Sequence, residues 1–204
     1  TGLYVQDQIN ITDQLQVRVG FRYDSFSQRT DNRMNNRSTK QSDNRISPKL
    51  GLVYSINEQF SVYGTFGEGF RANSGADFRG NAFAPNESNS MEAGLKFDVL
   101  DGNLQGNLAV FRQDQENMLS GDAVNPGFSV AIGEARSTGV EFDLAGSVDD
   151  YDFMVSYAYV DAEATKGVLD FNFGLQINDG DRLINVPEHS FSALLSRDIV
   201  VNDR

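Results

Sequence analysis

The links between the apolar segments constrain this chain most, because they alternate in length without exception. Asn10 to Gln14 is short and Ser27 to Arg45 is long; Asn57 to Gln59 is short and Arg71 to Asn89 is long. Asp101-Gly102-Asn103 is a tight turn on an Asp-Gly hairpin signal, followed by the long Glu116 to Ala135. Asp149-Asp150 is then short and Glu163 to Pro187 long. Long structureless links are uncommon inside compact domains. A transmembrane β-barrel supplies a reason for four in one phase: its turns are short on one side of the membrane and its loops long on the other.

The segments between the links repeat with period two. Leu15, Val17, Val19, Phe21 and Tyr23 oppose Gln16, Arg18, Gly20, Arg22 and Asp24. Met91 to Val99 and Gly139 to Ala145 do the same. We expect nine strands: Gly2–Ile9, Leu15–Phe26, Ile46–Ile56, Phe60–Phe70, Ser90–Leu100, Leu104–Gln115, Arg136–Val148, Tyr151–Ala162 and Glu188–Val200. Their length of about ten residues crosses a bilayer at a tilt. Slipping one by a residue would put Arg18, Arg22 or Lys96 into lipid, at about 2–4 kcal/mol for each basic residue at midplane. The other face, with Arg18, Arg22, Lys49, Glu92, Lys96, Asp98, Glu141 and Asp143, encloses water or a polar plug. A soluble β-sandwich alternates too. Strand length, loop phase and the charge of the polar face favour the barrel.

Composition narrows the function classes. Lys plus Arg is 17 and Asp plus Glu is 29, a net charge of −12, which argues against nucleic acid. The chain has no cysteine, so disulfides, thiolate metal sites and a cysteine nucleophile are excluded. No apolar run reaches the roughly 18 residues of a transmembrane helix. No Ser–His–Asp set, paired-carboxylate pocket or metal cluster stands out, so neither an enzyme nor a resident cofactor is expected. His189 stands beside Glu188 without placed partners and is expected to be structural. Asn178-Asp179-Gly180-Asp181 lacks upstream oxygen ligands for calcium and is expected to be a turn.

Several stretches resemble the TonB-dependent outer-membrane receptors. Leu3-Tyr4-Val5-Gln6-Asp7-Gln8 followed by Val19-Gly20-Phe21-Arg22-Tyr23-Asp24 is similar to a mid-barrel strand pair of the siderophore receptors. Ser47-Pro48-Lys49-Leu50-Gly51-Leu52 with Val62-Tyr63-Gly64-Thr65-Phe66 and Gly69-Phe70-Arg71 resembles the next hairpin. Met91 to Lys96, Ser137 to Phe142 and Asn185 to Ser190 are similar to three later strands. The resemblance implies an all-β antiparallel barrel of about twenty-two strands with a plugged lumen. This chain would be its mid-to-late segment, without plug, first strands or last strands. It further implies a monomer in the Gram-negative cell outer membrane. The receptor would take up a ferric siderophore, with the energy-coupling TonB complex acting through the plug. A passive porin-like channel, or TonB-dependent uptake of cobalamin, haem or an oligosaccharide, stays open beside it.

Recognition would sit in the long links. In the first, Arg33 and Arg37, among Arg29, Lys40 and Arg45, could attract an anionic chelate or form a solvated mixed-charge loop. In the second, Phe70, Arg71, Phe78, Arg79 and Phe83 interleave aromatic and guanidinium groups that suit a catecholate or mixed peptide chelate. Loop-on-loop packing or plug contact is the alternative there. Phe171 and Phe173 in the last long link are similar candidates.

Overall fold

A computed structural model describes residues 1–32, 37–122, 124–166, 168–170 and 175–197. The strands are β1 (Gly2–Asn10), β2 (Leu15–Asn32), β3 (Arg37–Ser55), β4 (Phe60–Arg71), β5 (Asn86–Val99), β6 (Leu104–Gly121), β7 (Ser129–Val148), β8 (Tyr151–Lys166), β9 (Val168–Asp170), β10 (Leu175–Ile177) and β11 (His189–Arg197). Nine of them form one antiparallel sheet in which β1 to β8 follow in chain order and β11 pairs with β8. The β9–β10 pair is separate. There is no helix among the described residues.

The nine expected strands are present, and several run further than expected at the long-link end. The first long link is mostly ladder, paired from Ser27↔Ser42 to Asn32↔Arg37. The third shrinks to 122–128 between β6 and β7. The reason is that alternation marks only strands with one dry face. Where both faces meet water, the hydrogen-bonded ladder continues without it. At the other end, the expected close of the last strand, Asp198 to Val200, lies outside the described residues.

Short polar caps close the short turns. Thr12 Oγ1 accepts from the Gln14 and Leu15 N–H groups (3.2 and 3.0 Å), and Asn57 Oδ1 accepts from Gln59 and Phe60 (2.9 and 2.8 Å). The β5–β6 turn places Leu100, Asp101 and Gly102 at φ of 56, 55 and 87°. The short polar Asp and the Cβ-free Gly tolerate this left-handed geometry.

Register sorts the side chains into two faces. The outward rows are Leu15–Tyr23, Ile46–Tyr54, Phe60–Phe66, Met91–Val99, Leu104–Val110, Val140–Val148 and Tyr151–Tyr159, every second residue. Each turns polar at its long-link end, at Ser25, Asn44, Glu68, Asn89, Arg112, Thr138 and Asp161. Nine residues rise about 26 Å along a strand, or about 20 Å of height at the usual tilt, close to the apolar band of a membrane barrel. On β1 the outward row is Leu3, Val5, Asp7 and Ile9, and the Asp7 carboxylate accepts from the Gln8 N–H (2.9 Å).

Much of the apolar row is exposed among the described residues. Phe21 is 48% exposed, and Leu50, Leu108, Val110 and Met91 are exposed with it. The buried apolar side chains among the described residues are Phe83, Pro85 and four alanines, Ala109, Ala135, Ala162 and Ala164. A sandwich would have buried the outward row, so the sheet is a segment of barrel wall.

Aromatic rings lie over the glycine opposite them. Tyr63 pairs with Gly94, Phe97 with Gly106, Phe111 with Gly139 and Phe153 with Gly146. A Cβ at Gly94 would stand 2.5–2.7 Å from the Tyr63 ring. The missing side chain is the space each ring occupies, and the ring shields a backbone that glycine leaves bare.

Candidate functional site

The long-link end is built around the β4–β5 loop, residues 72–85, which is clamped on both sides. Toward β6, Asn73 Nδ2 donates to the Ala84 and Asn117 carbonyls (both 2.7 Å) and Asn86 Nδ2 donates to Glu116 (2.9 Å). Asn117 Nδ2 donates back to Pro85 (3.0 Å). Asn73 and Asn86 are buried. Asn117 has φ of 57° and sits at a register shift of the β6–β7 ladder, a bulge that turns its carboxamide onto the loop. Toward β3, Thr39 Oγ1 donates to Gly80 (2.9 Å) and Gln41 Nε2 to Phe83 (2.7 Å).

Carboxylates cap both loop tips. Asp77 accepts from the Asn81 N–H and carboxamide (2.7 and 2.9 Å), while Asp122 holds Val124 and Asn125 in the same way. Burial works to raise the Asp77 carboxyl, but the donors of Asn81, Arg79 and Gly80 together hold it below the ordinary aspartate range. The Asn125 carboxamide, foremost, lowers Asp122.

The expected site residues separate on this scaffold. Phe70 is the last residue but one of β4, its ring 5.7 Å from Phe26 of β2, and Arg71 is exposed beside it. Phe78 and Arg79 lie at the exposed tip, with Phe78 50% exposed. Phe83 is 6% exposed and packs inside the loop, so it holds the scaffold instead of presenting a surface. Phe128 of the β6–β7 link meets Phe78 edge-on, centroids 5.3 Å apart at 90°. Sequence reasoning passes over Phe128, although Asn125-Pro126-Gly127 before it is a turn signal.

The other candidates do not join this group. Arg37 opens β3 opposite Asn32, and its side chain, like Arg33, Phe171 and Phe173, lies outside the described residues. Nearby cations are engaged by acids: Arg29 with Asp31 (3.0 Å), and Arg45 with Glu87 (2.8 Å) and Glu68 (3.8 Å).

Below the loops, the polar face lines two concavities of about 750 and 570 Å³. Arg18 donates to Gln8 (2.7 Å), Tyr63 donates to Glu92 (2.6 Å), and Lys96 lies 4.9 Å above the Tyr63 ring. His189 meets the Tyr157 hydroxyl through Nδ1 (2.9 Å) at the top of the outward row. Asp181 caps its own turn through the Asn178 N–H (2.6 Å). No cluster of three or more metal-ligating side chains occurs among the described residues.

The family model described as TonB dependent receptor-like, beta-barrel, matches residues 1–199. The metal-pseudopaline receptor of Pseudomonas aeruginosa is 36% identical over 200 residues, covering 95% of this chain and 27% of that protein. The ferrichrome outer membrane transporter/phage receptor of Escherichia coli is 32% identical over 166 residues, 81% of this chain and 22% of that protein. This chain therefore spans about a quarter of these relatives' length. Among solved structures, the siderophore receptor of Acinetobacter baumannii superposes with a TM-score of 0.78 at 22% identity, covering 98% of this chain and 31% of that one. The alcaligin outer membrane receptor of Bordetella pertussis gives 0.73 at 22%, covering 98% of this chain and 34% of that one. Both likenesses show the fold; the two relatives named first are, by their names, a receptor and a transporter/phage receptor. On the family match, the exposed apolar wall and the polar concave face, the chain belongs to the TonB-dependent receptors, as a segment of their β-barrel.

Proposed function

We propose that this segment belongs to an outer-membrane receptor that takes up a ferric siderophore, energised through TonB acting on a plug encoded elsewhere in the full protein. The observation that carries the reading is the β4–β5 loop. A loop held toward β6 by the buried carboxamides of Asn73 and Asn86 and toward β3 by Thr39 and Gln41 keeps Phe78 and Arg79 at a fixed height above a polar-walled interior. Preorganised aromatic and guanidinium groups bind an anionic chelate without a large ordering penalty. The names of the relatives, receptors for metal-pseudopaline, ferrichrome and ferrioxamine B, support a metal-chelate ligand over cobalamin, haem or sugar. The proposed contact set is Arg33, Arg37, Phe70, Arg71, Phe78, Arg79, Phe171 and Phe173, with Phe83 as support.

Calorimetry of the full-length receptor against a panel of ferric siderophores tests this. At least one is expected to bind, and replacing Arg71 and Arg79 by alanine is expected to weaken it by about tenfold, or about 1.4 kcal/mol. Saturable binding of none of them would refute the proposal.

A further inference from the structure

We infer that Phe128 completes the recognition site with Phe78, and that the corner between the two rings selects a chelate whose metal donors sit on a flat aromatic ring, a catecholate. This rests on the siderophore-receptor reading and deepens it.

The rings stand at 90° with centroids 5.3 Å apart, and Phe78 is half exposed. Two perpendicular rings form a re-entrant corner. A third ring placed there stacks on one and meets the other by its edge, the two arrangements aromatic pairs prefer. Arg79, next in sequence to Phe78, adds positive charge for an anionic chelate.

Each ring is anchored separately. Phe78 rides on the loop fixed by Asn73, Asn86 and Asn117. Phe128 is set by its own turn, in which its N–H donates to the Asn125 carbonyl (3.2 Å) and its carbonyl accepts from Asp122 (2.9 Å). The corner is therefore formed before ligand arrives, and Asn117 is a positioning residue for it. An aliphatic hydroxamate chelate offers no ring to the corner and gains nothing from it.

The test uses the full-length receptor with two probes, ferric dihydroxybenzoyl-serine as catecholate and ferrioxamine B as aliphatic control. Phe128→Ala is expected to weaken catecholate binding about tenfold, Phe128→Trp to retain it within about threefold, and neither to move ferrioxamine B affinity. Asn117→Gly keeps the left-handed backbone and removes the bond to Pro85; it is expected to raise the catecholate off-rate at an unchanged melting transition. Catecholate affinity unchanged in Phe128→Ala, or equal weakening of both probes, would overturn the inference. A wild-type receptor preferring ferrioxamine B overturns it too but leaves the siderophore reading standing, whereas no binding of any siderophore removes both.

Discussion

Gly139 and Gly51 lie on the same inward face, and alanine at the two positions is expected to act with opposite sign. A Cβ at Gly139 would stand 2.7 Å from the Phe111 ring carbons and would also run into the Tyr159 carbonyl oxygen. The ring can swing aside; the carbonyl belongs to the β7–β8 ladder and cannot move without opening it. Overpacking of this kind costs about 1–3 kcal/mol. A ladder hydrogen bond lost with it adds about 0.5–1.5 kcal/mol. Gly139→Ala is thus expected to destabilise the barrel by about 2–4 kcal/mol. At Gly51 the nearest atom to a new Cβ is Arg18 Cβ at 3.7 Å, an ordinary contact. There alanine relieves the conformational freedom of glycine and stabilises by about 0.5–1 kcal/mol. The variants should differ by about 2.5–5 kcal/mol, roughly two to four decades in the unfolding equilibrium. Guanidinium unfolding of the full-length receptor, refolded into the same lipid, measures this. Equal stability of the two variants would show that the aromatic–glycine contacts impose no packing constraint.

The remaining predictions concern the membrane face and the loop caps. Leu108 points outward between Leu95 and Phe142, so Leu108→Arg is expected to cost about 2–4 kcal/mol in lipid, while Gln105→Arg, on the inward face beside Asp98, should be near neutral. Equal folding yields of the two in lipid vesicles would reverse the face assignment. Asp77 and Asp122 have folded pKa values below the ordinary 3.8. Their contribution to loop order is therefore complete above the unfolded value and disappears as pH falls through the folded one. Hydrogen exchange in 72–85 and 122–128 should accelerate below about pH 4 in the native receptor, and the paired variant Asp77→Asn with Asp122→Asn should lose that dependence. An unaltered pH profile in the variant would remove these carboxylates as the cause.

The wall was legible because lipid imposes a dry side: five apolar steps opposite Arg18 and Arg22 on β2, or opposite Glu92 and Lys96 on β5, leave one register. Above the band that constraint ends, which is why the β2–β3 ladder from Ser27 to Asn32 reads as loop in the sequence. Its cross-strand pairs, such as Arg29↔Lys40, carry no alternation. In the site, Phe78 and Phe83 are the same residue type five positions apart, and nothing local separates the exposed ring from the buried one. The difference comes from Gly75, which at φ of 103° brings the loop back against the Phe83 ring, and from Gln41 of another strand.

The aromatic–glycine pairs divide along the same line. Counting back from the tight turn at Asp101–Asn103 puts Phe97 opposite Gly106, and counting from Asp149–Asp150 puts Gly146 opposite Phe153, so both could have been found. Tyr63 opposite Gly94 and Phe111 opposite Gly139 span long links, the second through a register shift that no count across the loop reveals. Pairing information in this chain therefore reaches as far as its short turns fix the register. The proposed recognition face lies on the other side, where register depends on Asn73, Asn86 and Asn117 finding backbone partners 11 to 44 residues away. Loop contacts can change there while the wall below keeps its register.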